Sequence, residues 1–265
     1  MTVVNNGLGP NQVVLVTAGA AGIGRKIAEK FLAHGCKVHV CDINQSVIDD
    51  FLHLNPGASA SLADVSQVEQ VKKTFDDIKS RYKRLDILVN NAGVAGPTAL
   101  VEDIEPQEWA KTINIDLNGQ FYCTKYAVPM LKANGAGAII NISSNAAFFG
   151  FPMRSPYTAA KWALIGLTKT WAMELGPHNI RVNAVCPGSV SGERIDRVIK
   201  SDAAKRGVSE DAVRTLYAEQ SSMRLFVSAD DVANMVVFLS SDLGASISGQ
   251  AIGLDGHTEN LSSKL

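Results

Sequence analysis

Ser144, Tyr157 and Lys161 occupy the pattern S-x12-Y-x3-K, the part of the chain that most directly implies a chemical reaction, with a tyrosine as general acid/base. Residues four apart on a helix share a face, so the Lys161 ammonium can lie beside the Tyr157 phenol. A unit positive charge about 4 Å away at an effective dielectric of about 20 is worth on the order of 4 kcal/mol. That is enough to bring a phenol, which ordinarily titrates near pH ~10, into the working range of a general acid/base. A tyrosine and a lysine at this spacing also occur by chance on helices, so the pair gains meaning only from what surrounds it.

The surroundings are those of a dinucleotide site. The apolar run VVLVT at residues 13–17 leads straight into AGAAGIG and then into the helical pattern RKIAEKFLAHG. Gly19, Gly22 and Gly24 let the backbone turn and approach a pyrophosphate, and the helix N-terminus offers free N–H groups. Asp42 stands eighteen residues past Gly24. A carboxylate there accepts the adenosine ribose hydroxyls and repels a 2'-phosphate, which favours NAD over NADP. Arg25, beside the turn, is a mild counterweight because a guanidinium could meet a phosphate.

Positioning these groups requires a sheet. Aliphatic runs at residues 13–17, 37–41, 59–62, 85–90, 137–143, 180–186 and 250–254 alternate with helical patterns at 22–34, 45–54, 67–82, 106–133, 155–174 and 229–240. Such alternation builds right-handed βαβ units and a parallel sheet covered on both faces. The 265 residues, 46% hydrophobic with 22 glycines, suit one α/β domain over 1–265. Residues 188–228 break the rhythm with polar and charged side chains just beyond a strand's carboxyl end, and are read as a partly helical lid. A net charge of −1 gives no sign of a nucleic-acid or anionic-membrane partner. No apolar run reaches bilayer length, and the N-terminus lacks a charged-then-apolar leader, so a cytoplasmic protein is expected. Cys36, Cys41, Cys123 and Cys186 lack C-x-x-C spacing and are expected as buried thiols, with no metal site.

With both ends in place the chain resembles the short-chain dehydrogenase/reductase family over nearly its full length. The similarity is carried by TAGAAGIG at 17–24, Asp64-Val65, NNAG at 90–93, Ser144, YTAAK at 157–161, IRVNAVCPG at 180–188 and SGQAIGLDG at 248–256. The resemblance implies a single-domain Rossmann-type doubly wound fold with about seven parallel strands. It also implies that Thr17 and Ile23 belong to the glycine turn, that Asp64 and Val65 flank the adenine, and that Asn90, Asn91, Ala92 and Gly93 shape the cofactor cleft. Tyr157 would exchange a proton with the substrate oxygen, which Ser144 would hydrogen-bond. Lys161 would bind the nicotinamide ribose, with Pro187, Gly188 and Val190 at the nicotinamide. The cofactor brings the hydride chemistry and the protein orients it.

Three positions depart from the family pattern. Ala18 stands where a glycine is usual, and a methyl is tolerated there if φ stays negative. Asp116 replaces the asparagine found five residues before Phe121. Asn114 and Asn118 are two residues away from it and point elsewhere on a helix. An ionised Asp116 would offset part of the lysine's field on Tyr157 and make the activity profile more alkaline than an asparagine version. His257 replaces a frequent glycine and is expected to be solvated.

Around the presumed pocket stand Asn145, Phe148, Phe149, Phe151 and Arg154, and from the lid Ser189, Ser191, Glu193, Arg194 and Arg197. Asn145, Phe151, Arg154, Glu193 and Arg194 are the candidate substrate contacts, and a guanidinium at 154 could hold a carboxylate or a polyol oxygen. The expected substrate is a small polar secondary alcohol or ketone of sugar, polyol or hydroxy acid type. Trp109, Phe121, Tyr122, Trp162 and Trp171 leave the long helices with spare apolar surface, which together with the resemblance implies a homotetramer or dimer. The competing function is a dinucleotide-binding regulator or scaffold of the same fold without turnover. An epimerase or dehydratase is disfavoured by the short C-terminal part.

Overall fold

A computed structural model describes residues 7–258; part of the N-terminal stretch read for a leader lies outside them. Its centre is a seven-stranded sheet in the order β3-β2-β1-β4-β5-β6-β7, with every pairing parallel. The strands are β1 (Val13–Thr17), β2 (Lys37–Asp42), β3 (Ser59–Leu62), β4 (Ile87–Asn90), β5 (Gly137–Ile142), β6 (Ile180–Pro187) and β7 (Ala251–Leu254). The helices are α1 (Gly22–Ala33), α2 (Gln45–Leu54), α3 (Val68–Tyr82), α4 (Pro106–Ile113), α5 (Gly119–Asn134), α6 (Ser155–Leu175), α7 (Glu193–Arg206), α8 (Glu210–Glu219) and α9 (Ala229–Ser240). Among the described residues no helix is long and apolar enough to cross a membrane.

The continuous apolar strands follow from burial on both faces. Along β1, Val14 and Val16 face a core shared with Ile27, Phe31, Phe51 and Val236. Val13 and Leu15 face the other core, with Phe75, Ile78, Leu131, Ile139 and Trp171. The alternation is the two-residue period of a strand expressed as two separate cores. All four cysteines are free and buried.

A buried polar ladder runs across the middle of the sheet. Asn90 on β4 donates through Nδ2 to Asn141 Oδ1 (2.9 Å) and Thr124 Oγ1 (3.0 Å), and Asn141 donates to Thr168 Oγ1 (2.9 Å). Asn90 is wholly buried, so its side chain is occupied beneath the cleft rather than in its wall. Trp171 is likewise corrected from a surface to a core residue at 8% exposure, and Tyr122 packs on that same core. Trp109, Phe121 and Trp162 do remain exposed.

The helix expected over 106–133 is interrupted. Residues Asn114–Asn118 form a π turn between α4 and α5, with Gly119 N–H reaching Asn114 O. Nothing in the spacing of apolar residues distinguishes a π turn from an α turn of similar composition. Residues 188–228 form α7 and α8 around their own small core of Ile199, Ala203, Val213 and Tyr217. The segment is clasped where it leaves and rejoins the sheet, by Ser191 N–H to Val227 O and Val227 N–H to Ser189 O, each 2.9 Å.

Ala18 adopts φ +47°, contrary to the expectation of negative φ. The chain reverses immediately after β1, and the Ala18 and Thr17 carbonyls are both held by Asn91 Nδ2, at 3.2 and 2.9 Å. A left-handed alanine costs roughly 1–2 kcal/mol, while a glycine would lose about 0.4–1 kcal/mol more chain entropy on folding. Ala18→Gly is therefore expected to stabilise the protein by up to about 1 kcal/mol, read as a rise of roughly 2 °C in thermal midpoint. A lowered midpoint would show that the turn is not strained.

His39 on β2 sits in a buried network, with Nδ1 2.7 Å from Ser59 Oγ and Nε2 2.9 Å from Ser61 Oγ. Burial lowers its pKa to about 4. The unfolded ring protonates near pH ~6.5, so the unfolded chain binds the extra proton first. Stability is then full above about pH 6.5 and falls as the pH drops toward 4, by about 3 kcal/mol across that window. Urea unfolding of the wild type and of His39→Gln at several pH values should show a clearly shallower acid loss in the variant. Parallel losses in the two proteins would exclude His39 as the origin.

Candidate active site

The candidate site lies along the carboxyl edge of the sheet, where the chain leaves β1, β4, β5 and β6. At the nucleotide end, Gly22 opens α1 with φ +54°. Ala21 at the cap makes no side-chain hydrogen bond, which leaves the first N–H groups of α1 without a side-chain cap. A Cβ on Gly24 would lie 2.1 Å from Ala18 O and 2.5 Å from Asn91 Nδ2, so only glycine permits this close approach of helix to turn. Thr17 accepts at Oγ1 from the N–H groups of Asn91 and Ala92, both 2.9 Å. That hydroxyl ties the end of β1 to the end of β4 and shapes one floor of the cleft; Ile23 packs from above onto the core beside Val14.

Asp42 ends β2 with its carboxylate half-buried, and Oδ1 accepts from Asn44 N–H at 3.3 Å. Arg25 is engaged elsewhere: Nε reaches Glu29 Oε1 at 2.8 Å and Nη1 reaches Asp50 Oδ2 at 2.7 Å. Asp64 Oδ1 accepts from Ser66 N–H at 2.8 Å, fixing the turn that buries Val65. Gly188 N–H bonds to Leu254 O after β6 ends at Pro187, and Val190 pairs with Val227. These groups fit a dinucleotide: uncapped helix N–H groups, a glycine floor without side chains, and a carboxylate with acceptor capacity to spare.

At the other end, Lys161 on α6 is 3% exposed. Its Nζ donates to Ile142 O at 3.2 Å, lies 3.5 Å from Asp116 Oδ2 and stands 5.5 Å from the centroid of the Tyr157 ring. Lys161 and Tyr157 share one face of α6, and Tyr157 is half-buried. Ser143 Oγ donates to Lys161 O at 3.0 Å and so pins α6 against β5. Ser144, the next residue, accepts at Oγ from Ala146 N–H at 3.2 Å.

Asp116 sits in the π turn with no exposure at all. Its Oδ1 accepts from Val94 N–H at 2.7 Å, whereas Oδ2 has no hydrogen bond and only the ion pair with Lys161. Asn114 and Asn118 do point elsewhere, bonded to each other at 2.8 Å. His257 is exposed, with Nδ1 2.6 Å from Ser222 Oγ. Its φ of +65° accounts for glycine suiting that position.

A cleft of about 450 Å³ opens between the segment 93–98 and α7, with Arg154, Arg194 and Arg197 in its wall. Arg154 and Arg194 are thus brought together. The other candidate substrate contacts are placed differently. Asn145 is buried and donates to Thr258 Oγ1 at 3.3 Å, Glu193 is 94% exposed and pairs with Arg197, and Phe151 lies outside this cleft. Thr98 and Ser201, whose hydroxyls meet at 3.4 Å across the cleft, were not singled out by sequence. The available signal was the Gly93–Gly96–Pro97 loop directly after a strand's carboxyl end.

Comparison with known proteins agrees with this geometry. A family model described as enoyl-(acyl carrier protein) reductase matches residues 18–257. A 3-oxoacyl-[acyl-carrier-protein] reductase of Thermotoga maritima is 32% identical over 249 residues, covering 92% of this chain and 96% of that protein. A trans-4-hydroxycyclohexanecarboxylate dehydrogenase of Sinomonas cyclohexanicum is 36% identical over 255 residues, covering 92% of each. Among solved structures, NAD+-bound xylitol dehydrogenase superposes with a TM-score of 0.89 at 27% identity, covering 93% of this chain and 98% of that one. With the ordered parallel sheet, the glycine turn and the buried lysine beneath Tyr157, these matches establish that the chain belongs to the short-chain dehydrogenase/reductase family of oxidoreductases.

Proposed function

We propose that this oxidoreductase is an NAD-dependent alcohol dehydrogenase or carbonyl reductase acting on a small polar secondary alcohol or its ketone, of sugar, polyol or hydroxy acid type. The observation that carries the reading is the Lys161 ammonium, buried and aimed past the ring of Tyr157. With the ammonium on the same face of α6, Tyr157 is suited to take the alcohol proton or return it to a ketone. Ser144, at the end of β5, would hydrogen-bond the same oxygen. Asp116 would position Lys161 rather than touch substrate, its carboxylate lying 3.5 Å from Nζ.

Cofactor choice rests on two carboxylate arrangements. Asp42 retains acceptor capacity for ribose hydroxyls, and Arg25 is held by Glu29 and Asp50 instead of standing free for a 2'-phosphate. The glycine turn, Thr17, Asp64, Val65, the segment 91–93, Lys161 and the residues from Pro187 to Val190 would hold the dinucleotide. When bound, it supplies the hydride acceptor or donor. Two of the similar proteins have names in keeping with the substrate reading, a trans-4-hydroxycyclohexanecarboxylate dehydrogenase and a xylitol dehydrogenase, while others are named for acyl-carrier-protein and hydroxysteroid substrates. Exposed Trp109, Phe121 and Trp162 support a homo-oligomer joined through the helices that carry them.

Incubation with NAD or NADP and a panel of secondary alcohols, followed by absorbance of the reduced cofactor, tests the reading. NAD should be preferred, with Asp42→Ala raising KM for NAD by about tenfold or more and narrowing the preference. Tyr157→Phe should lower kcat by about 10²–10⁴-fold while NAD binding persists. Clear NAD binding without turnover of any alcohol would instead favour the regulator or scaffold.

The buried carboxylate beside Lys161 has its own signature. Asp116→Asn keeps an acceptor for Val94 N–H but removes the negative charge beside Lys161, so the pH–rate curve for alcohol oxidation should move toward acid. An unmoved curve with lowered stability would restrict Asp116 to a structural role.

A further inference from the structure

We propose that the cleft between segment 93–98 and α7 is an oxyanion subsite for a carboxylate-type group of the substrate, so that the reacting alcohol is a hydroxy acid rather than a neutral sugar or polyol. The inference rests on the oxidoreductase reading above and narrows its substrate. The cleft, about 450 Å³, is of the size that encloses a small organic ligand. Its charge is one-sided, with the guanidinium groups of Arg154, Arg194 and Arg197 in its wall.

Arg154 is the anchor. It is 4% exposed, its Nη1 donates to Ala95 O and Gly96 O at 3.3 Å, and its Nη2 is buried without a hydrogen-bond partner. Burial pushes its guanidinium pKa down; Tyr217, Asp202 and Tyr157 offset part of that, and Arg194 adds to it. Asp202, the carboxylate whose charge acts on Arg154, is committed elsewhere. Asp202 gives Oδ1 to Arg206 Nε at 2.8 Å and accepts from Tyr217 Oη at 3.0 Å through Oδ2. Glu193 is on the solvent side with Arg197. Among the described residues neither Arg154 nor Arg194 makes an ion pair. A buried, incompletely bonded guanidinium facing a second one is unfavourable unless an anion joins them. A carboxylate matches a guanidinium fork in shape as well as charge.

The cleft also adjoins the chemistry. Gly93 lines it, and a Cβ on Gly93 would lie 3.4 Å from both Lys161 Nζ and Asp116 Oδ1. Arg154 precedes Tyr157 by three residues at the start of the same helix. A short hydroxy acid held by its carboxylate at the arginine wall could extend its alcohol carbon toward the Gly93 end of the cleft, the end that adjoins Lys161.

The test pairs lactate, 3-hydroxybutyrate and gluconate with their neutral amides. Each is titrated calorimetrically into the NAD-loaded full chain and assayed for NADH formation. At least one acid should bind tenfold or more tighter than its amide. Arg194→Gln, an exposed position, and Arg154→Lys should each cut that acid-to-amide ratio by about 10- to 100-fold, with the rise falling on KM for the acid and not on KM for NAD. Equal binding of acids and amides, a ratio unmoved in both variants, or a rise confined to KM for NAD would overturn the proposal. Arginine-dependent acid binding with no NADH from any alcohol would instead sink the oxidoreductase reading and leave the subsite standing.

Discussion

Lys161 and Asp116 face each other at 3.5 Å with almost no solvent on either, and four segments of the chain must be in place for that to hold. The ammonium is bonded to the carbonyl that ends β5, and the carboxylate to an N–H just beyond β4. Lys161 itself rides on α6, and Asp116 on the π turn between α4 and α5. Burying two charges is costly, and a pair of this kind adds little net stability over apolar residues of the same size. Removing one partner, however, strands the other and typically costs about 3–5 kcal/mol. The pair therefore acts less as a source of stability than as a condition that the loops and helices around the sheet edge must satisfy together.

That condition explains features that are otherwise unconnected. The π turn places Asp116 inward while Asn114 and Asn118 bond to each other on the outer side; π turns inside helices are often found at functional sites for such reasons. Ser143 fixes the helix that carries Lys161, and the Asn90–Asn141–Thr168 ladder fixes the strands on which the loops begin. At the other end, Thr17 and Asn91 lock β1 to β4 at the cost of a left-handed alanine. The glycine turn and the Lys161–Asp116 pair are thus two stretches of one braced sheet edge, sharing β4 and the segment after it.

Most of this architecture is legible in the sequence because its elements obey strong local rules. β1, β3, α2 and α9 fall at the boundaries that apolar periodicity and capping residues mark, and the remaining strands and α1 shift at their ends by one or two residues. Ser144, Tyr157, Lys161 and the glycine turn are read from their spacing together with the strand and helix patterns around them. What escapes is set by contacts distant in sequence. The φ of Ala18 is imposed by Asn91 from another strand, the burial of Trp171 by a core on the far face, and the meeting of Thr98 with Ser201 by the fold of the segment after β6. The π turn escapes for a different reason, since an added residue in one turn leaves no mark on composition.

The division of labour between the rigid edge and the α7–α8 segment follows from how each is held. The side chains proposed to move protons are buried in or braced against the sheet, where their geometry is shared with both main cores. The α7–α8 segment instead has its own core, Ile199, Ala203, Val213 and Tyr217, organised around Asp202. It joins the rest of the fold through the Ser189–Ser191–Val227 clasp and through Ser222 N–H to His257 O and Met223 N–H to Gly256 O, and its Ser201 hydroxyl meets Thr98 of segment 93–98. A unit with a small core of its own can open at less than the free energy of global unfolding. Arg194 and Arg197 are on that unit, whereas Arg154 is on the edge, so the guanidinium groups that line the cleft belong to two bodies. An anion bridging them would tie the segment to the sheet edge by the charge it neutralises.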